Sequence, residues 1–294
     1  MRYRVLGRTG LSVSSVGMGT LESFDVPPGP EEDRCRRLVD EALARGCNFF
    51  DTAPAYGASE RVLGLALAGR RAGVLLATKV RETSAPAARA SIERSFERLR
   101  TDVIDLLQVH NMAGWREVLP VLEEYRERGR VRFLGLTYYE RESEAEALAG
   151  MRTGRFDAVQ VPFWLGETSC RERVLPLAAG MNLGVIAMRP IARAWRELAR
   201  RRGRSGPWAR LRYALSRAGY GSFHPLGKKE ARALAALEAG TLAQALIRYV
   251  LSDPRVSTVV PATRRPGRAA ENAAAGDMGP LPPEAARELE KLLG

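Results

Sequence analysis

The stretch VLLATKVRETSAPAARASIERSFERLRTDVIDLLQVH, residues 74–110, decides how the whole chain is read. It opens with a short apolar run, VLLATK (74–79), passes through an amphipathic segment of helical length, AARASIERSFERLR, and ends in a second run, VIDLLQVH (103–110). Neither run alternates apolar with polar residues. Runs that are apolar on both faces suit strands covered on both sides, and parallel strands joined by crossover helices are of that kind.

Outward from this unit the pattern repeats. The runs are VGMG (16–19), CNFFD (47–51), VLLATK, VIDLLQVH, VRFLGLT (131–137), DAVQVPF (157–163), GVIAMRP (184–190) and STVVPAT (257–263). From the second to the seventh they recur every 25 to 30 residues, about one strand plus one helix. Eight such units predict an α/β protein of the (β/α)8 TIM barrel type. The competing doubly wound sheet usually opens on a glycine-rich phosphate loop, and GMGTLES after the first run has no G-x-G-x-x-G. Ahead of the first barrel run, YRVLGRTGLSV pairs two short extended segments across a glycine-containing turn, which predicts a hairpin capping the barrel floor.

The chain is 294 residues long, with 45% apolar and 27% charged residues, enough to bury a sizeable core. One domain over 1–294 is expected. The first residues, MRYRVLGRTG, carry no apolar leader and no run approaches a membrane span, so the reading is of a cytoplasmic protein with no membrane partner. Cys35, Cys47 and Cys170 form no CxxC pair, which suits a reducing compartment, and no metal site is expected. The net charge of +12 raises the question of nucleic acid, but 42 of the 46 basic residues are arginine, a bias that a GC-rich coding sequence produces by itself. With no binding motif or aromatic platform beside it, the charge predicts no nucleic-acid partner. No obligate protein partner is evident.

The interval from Gly184 to Ser257 breaks the period and predicts an insertion after the seventh strand, at about residues 193–238. It is basic: ten arginines lie from Arg189 to Arg217, against the single acid Glu197. Two readings stand, a pair of solvated helices or a lid carrying positive field over the barrel mouth.

In such a barrel the last residue of each strand points into the mouth, the face where these folds keep their sites. Asp51, Lys79 and His110 end three consecutive runs, and Tyr56 lies in the loop just beyond Asp51. Any one of them has an ordinary structural role open to it; a lysine and a histidine ending apolar runs are together costly choices near a core. A tyrosine titrates near pH ~10 when free, and a nearby ammonium favours its phenolate. Lys79, kept charged by Asp51, is expected to lower the Tyr56 pKa and make it a usable general acid, with His110 orienting the substrate oxygen. The device protonates an oxygen on which negative charge develops, as carbonyl reduction requires. No side chain here supplies a hydride, so a nicotinamide must.

In order and spacing, DTAPAYGASERVLG, ATKV and LLQVH resemble the aldo-keto reductases, barrels that bind NAD(P)H without a doubly wound domain. The resemblance runs nearly end to end, from LGRTGLSVSSVGMGT to VVPATRRPGRAAEN. It implies Tyr56 as proton donor, Lys79 and Asp51 tuning it, and His110 orienting the carbonyl. It also implies that Gln160 holds the nicotinamide carboxamide and that Thr263, Arg264, Arg268, Glu271 and Asn272 surround the adenosine end of NADPH. Loop arginines at the start of a helix suit a phosphate physically as well, offering bidentate forks beside backbone donors.

Three positions depart from the family pattern. Thr137 and Tyr138 stand where Ser-Asn is common, Met188 where an aromatic ring stacks on the nicotinamide, and Arg189 where a small polar residue is common. The resulting expectation is NADPH-dependent reduction of a small-molecule aldehyde or ketone. A cofactor-binding sensor or interaction subunit with little turnover and a Schiff-base lyase using Lys79 are the alternatives. Phe24, Trp115, Phe163, Trp164 and Trp195 are the candidate substrate lining, aromatic and apolar; the substrate itself is not readable.

Overall fold

In the computed structural model, which describes residues 1–191, 194, 232 and 238–291, eight parallel strands form one sheet. A two-stranded hairpin, β1 (Tyr3–Val5) with β2 (Ser12–Ser14), precedes them. The eight are β3 (Met18–Gly19), β4 (Phe49–Asp51), β5 (Leu75–Val80), β6 (Ile104–Val109), β7 (Val131–Thr137), β8 (Ala158–Pro162), β9 (Gly184–Met188) and β10 (Thr258–Val260). Each pairs with its sequence neighbours from β3 to β10. The ends then meet: Val16 bridges Val259 in parallel, Gly17 N donates to the Val259 carbonyl at 2.8 Å and Gly19 N to that of Pro261 at 3.0 Å. The sheet is therefore a closed (β/α)8 barrel, and each of the eight apolar runs supplies one strand.

The helices form because their apolar residues recur on one face. In α1 (Pro30–Ala44) the buried side chains are Cys35, Leu38, Val39 and Ala42, a helical stripe, with Pro30 and three acids in the first turn. Between β4 and β5 lies α2 (Ser59–Ala66). In α3 (Ala85–Leu99) the stripe is Ala88, Ser91, Ile92, Ser95, Phe96 and Leu99. The outer layer continues with α4 (Trp115–Glu127), α5 (Glu144–Arg152), α6 (Val174–Gly180), α7 (Leu242–Leu251), α8 (Arg268–Ala274) and α9 (Pro283–Lys291). Among the described residues, no helix is long and apolar enough to cross a membrane.

The inward faces of the strands fill the barrel from its floor. Phe49, Ala77, Leu106, Ala158, Ile186 and Val260 cluster with Leu6, Leu11 and Val13 from the hairpin, so the hairpin plugs the floor as expected. Each large side chain taken fully out of water there contributes about 1.5–3 kcal/mol. A packed floor leaves the carboxyl ends of the strands as the open mouth. The insertion expected at 193–238 falls mostly outside the described residues, as does Trp195.

Candidate active site

Asp51 ends β4, Lys79 is the fifth of six residues in β5, and His110 follows β6 directly. Parallel pairing keeps partners on one face: Lys79 is in register with Gln108, Gln108 with Gly135, and Thr137 with Gln160. Asp51, Lys79, Gln108 and Gln160 thus turn into the mouth from β4, β5, β6 and β8. Gly135 makes the room, since a Cβ there would stand 2.8 Å from Gln108 Cγ.

Lys79 and Asp51 form a buried pair, 1% and 3% exposed. Lys79 Nζ donates to Asp51 Oδ1 at 2.7 Å, to Oδ2 at 2.8 Å and to the Thr52 carbonyl at 2.8 Å, and the Tyr56 hydroxyl is also within its hydrogen-bonding reach. Gln108 Nε2 and Gln160 Nε2 each lie 3.3 Å from an Asp51 oxygen, so the carboxylate is held from three strands. Burial works against the ammonium, but Asp51 and the Tyr56 phenol outweigh it and hold Lys79 above its ordinary range.

Tyr56 ends a single 3-10 turn, Pro54–Tyr56, closed by its own N–H on the Ala53 carbonyl at 3.0 Å. Gly57 ends that turn at φ 61°, with Asp25 packed against it so closely that a Cβ would meet Asp25 Oδ1 at 2.2 Å. A side chain at 57 is therefore excluded by backbone and by space. The turn sets the Tyr56 ring over Lys79, with Nζ 5.2 Å from the ring centroid, and edge-on to His110 at 5.8 Å between centroids. All four residues singled out in the sequence thus share one cluster.

The direction of the Tyr56 titration differs from the expectation. Burial is the largest influence and raises the phenol above its ordinary value; Lys79 offsets this only in part, and Asp51 adds to it. Lys79 still favours the phenolate through space, but desolvation by the assembled mouth, which residue order does not report, outweighs it. Tyr56 is a phenol holding its proton at neutral pH.

Burial pushes the His110 imidazole down from 6.5 to about 3, with the Lys79 and Arg81 charges adding to the shift. It is neutral at physiological pH, and its Nδ1 is buried without a partner among the described residues. The unfolded chain then binds a proton near pH ~6.5 that the folded chain refuses until about 3. The linked stability is complete above the unfolded pKa and is lost as pH falls from there toward the folded one. Thermal melts between pH 7 and 4 should show His110→Asn losing stability less steeply than wild type; parallel slopes would sink the assignment.

Several supports were not read from the sequence. Gln108 is one, although its inward phase with Leu106 and His110 marked it as a polar residue on the barrel's inner face. Asn111 and Met112 both take positive φ, 53° and 56°, and the Thr137 hydroxyl accepts from Asn111 N at 2.8 Å. Thr137 thus braces the turn carrying His110. Thr78 Oγ1 donates to the buried Glu60 at 2.7 Å, tying α2, which follows the Tyr56 loop, to the strand that carries Lys79.

The other candidates fall into three groups. Phe24, Phe163 and Trp115 are core side chains, 0%, 0% and 7% exposed. The Trp115 indole donates to Glu146 at 2.7 Å under the Arg116 guanidinium. They present almost no surface to a substrate, because they pack between helices and sheet, and they are withdrawn as lining. Trp164 is half-buried and backbone-paired with Glu167. Tyr138 is buried with its hydroxyl unpartnered among the described residues, in the field of Cys170, Glu144 and Glu167 on the helical side of β7.

Met188 is half-buried at the inner end of β9. Arg189 follows at φ 57°, its guanidinium 4.3 Å over the Tyr139 ring and near enough to Tyr56 to favour the phenolate. The loop after β10 holds the remainder: Thr263 Oγ1 accepts from Arg265 N at 3.2 Å, Arg264 Nε donates to the Glu22 carbonyl, and Arg268 pairs with Glu271. Glu271 also accepts from the Thr241 hydroxyl at 2.7 Å, within the capping box that starts α7. Asn272 is buried in α8.

Comparison with known proteins agrees with this geometry. The model of the Aldo/keto reductase family matches residues 15–293. Among curated proteins the chain is 34% identical over 221 residues to the uncharacterized oxidoreductase YrpG of Bacillus subtilis, covering 65% of this chain and 67% of that one. It is 33% identical over 210 residues to the L-galactose dehydrogenase of Arabidopsis thaliana, covering 65% and 66%. Among solved structures, the aldo-keto reductase AKR11C1 of Bacillus halodurans in its holo form superposes with a TM-score of 0.74 at 26% identity, covering 99% of this chain and 96% of that one.

Proposed function

The chain belongs to the aldo/keto reductase family and is an oxidoreductase that works with NADP(H); from that premise we propose that it reduces an aldehyde or ketone to the alcohol, with Tyr56 giving the proton. The observation that carries this reading is the cluster of Tyr56 over the buried Lys79–Asp51 pair, edge-on to a neutral His110.

The residues present fit a nicotinamide cofactor. Gln160 Oε1 and Gln108 Oε1 are buried in the mouth with no partner among the described residues, acceptors suited to a carboxamide N–H. Gln160 and Met188 would hold the nicotinamide end, with Arg189 beside them, and Thr263, Arg264, Arg268, Glu271 and Asn272 the adenosine end. When bound, the cofactor supplies the hydride that reduces the carbonyl carbon.

The chain's own residues handle the oxygen. His110, neutral, donates one N–H to the carbonyl and orients it. Tyr56 Oη passes its proton to the oxygen as negative charge develops there. Lys79 then faces a phenolate and stabilises it, because Asp51 keeps the ammonium charged and its three donors in place. A lysine so held is a poor nucleophile, since a Schiff base needs the neutral amine, and the lyase reading loses its support.

Following NADPH oxidation against a panel of aldehydes and ketones tests the proposal. Turnover abolished by Tyr56→Phe supports it; tight NADPH binding without turnover on any carbonyl overturns it. The loop after β10 carries its own expectation. Arg264→Ala should weaken NADPH binding by about tenfold or more, the worth of a charge-assisted contact, and leave NADH nearly unchanged. Fluorescence titration of both coenzymes at one ionic strength reads it, and an Arg264→Ala variant with both affinities unchanged would remove Arg264 from the adenosine site.

A further inference from the structure

The segment PATRRPGRAA that follows β10 carries no acid ahead of Glu271, so nothing within it opposes a phosphate. The structure brings one from far along the chain. Glu41, on the last turn of α1, reaches the loop and accepts from the Gly267 N–H, with Oε1 at 2.8 Å and Oε2 at 2.9 Å. Gly267 immediately precedes Arg268, one of the residues placed at the adenosine end, where NADPH carries its 2′-phosphate. Arg264 donates to the Glu22 carbonyl and Arg268 pairs with Glu271. Carboxylate and carbonyl oxygens thus hold the loop.

We infer that Glu41 is a specificity-determining residue, a fixed negative charge at the adenosine end that narrows the preference for NADPH over NADH. The inference rests on the assignment of this loop to the adenosine ribose. A 2′-phosphate is close to a dianion at neutral pH and accepts hydrogen bonds only. Beside Gly267 it competes with Glu41 for the same backbone donor, and the two anions repel. A free 2′-hydroxyl carries no charge and has a proton to give, which a carboxylate accepts. Glu41 therefore opposes one coenzyme and accommodates the other, and the arginines act in the reverse sense. Its position follows from packing: α1 and α8 lie against each other, and Cys35, Leu38 and Val39 bury the inner face of α1, which fixes where the adjacent Glu41 emerges.

The test is the ratio of dissociation constants, Kd for NADH over Kd for NADPH, by fluorescence titration of Glu41→Gln and Glu41→Ala, with no turnover involved. Removing a like charge at contact range should raise the ratio about fivefold or more in both variants, mainly through tighter NADPH binding. The rise should shrink at high ionic strength, a behaviour that a merely structural change in the loop would not show. Thermal melts check that the variants fold. A ratio at the wild-type value in both variants overturns the inference. The underlying assignment fails separately: if Arg264→Ala leaves both affinities unchanged, the loop does not hold the ribose. If Arg264→Ala weakens NADPH while the Glu41 variants change nothing, only the role of Glu41 is lost.

Discussion

Tyr56→Phe is expected to lower kcat for carbonyl reduction by about 10²–10⁴-fold, the contribution of a positioned general acid, while NADPH affinity changes by less than about twofold. The hydroxyl is the only atom removed. The ring still lies over Lys79 at 5.2 Å and edge-on to His110, so the packing that shapes the mouth is kept. Burial has placed the phenol above its ordinary pKa, so wild-type Tyr56 carries its proton throughout the working range and the loss should appear at every pH from 6 to 8. Steady-state turnover with one aldehyde, beside fluorescence titration of NADPH, measures both halves. A variant that keeps more than about a tenth of wild-type kcat would show that the proton comes from elsewhere.

Lys79→Met is expected to be damaging in two ways at once. It strands the Asp51 carboxylate, 3% exposed, beside the two glutamine amides 3.3 Å away, and breaking one side of a buried pair costs about 3–5 kcal/mol. It also removes the charge that stabilises the Tyr56 phenolate, so turnover should fall on the scale of the Tyr56 variant. The double variant Asp51→Asn with Lys79→Met separates the effects: without a stranded charge, stability should return by a large part, while activity should not. Denaturant unfolding with kinetics on the same preparations decides it. If the single variant melts like wild type, the pair does not bear on the fold; if the double variant regains turnover, Lys79 does not act on the phenol.

The sequence by itself determined the architecture and which polar residues meet at the barrel mouth. Eight runs apolar on both faces, spaced by one helix length, admit few arrangements besides a barrel, because parallel strands need crossovers and buried faces need cover. Asp51, Lys79 and His110 were legible because the end of a barrel strand has one direction to point. Tyr56 was legible because Gly57 fixes the turn that carries it. What lies beyond strand ends was decided by tertiary structure. Whether Phe24, Trp115 and Phe163 face a substrate or a helix depends on packing between layers, which residue type does not reveal. The rise in the Tyr56 pKa depends on how much water the assembled mouth excludes, and that is a property of many residues together. Gln108 bracing Asp51 and Glu41 reaching Gly267, 226 residues away, are contacts between elements whose separation in the chain says nothing of their separation in space. Local pattern sets which elements form and which way they face; only closure of the barrel brings their ends within hydrogen-bonding distance, where the charges acquire partners and the chemistry its setting.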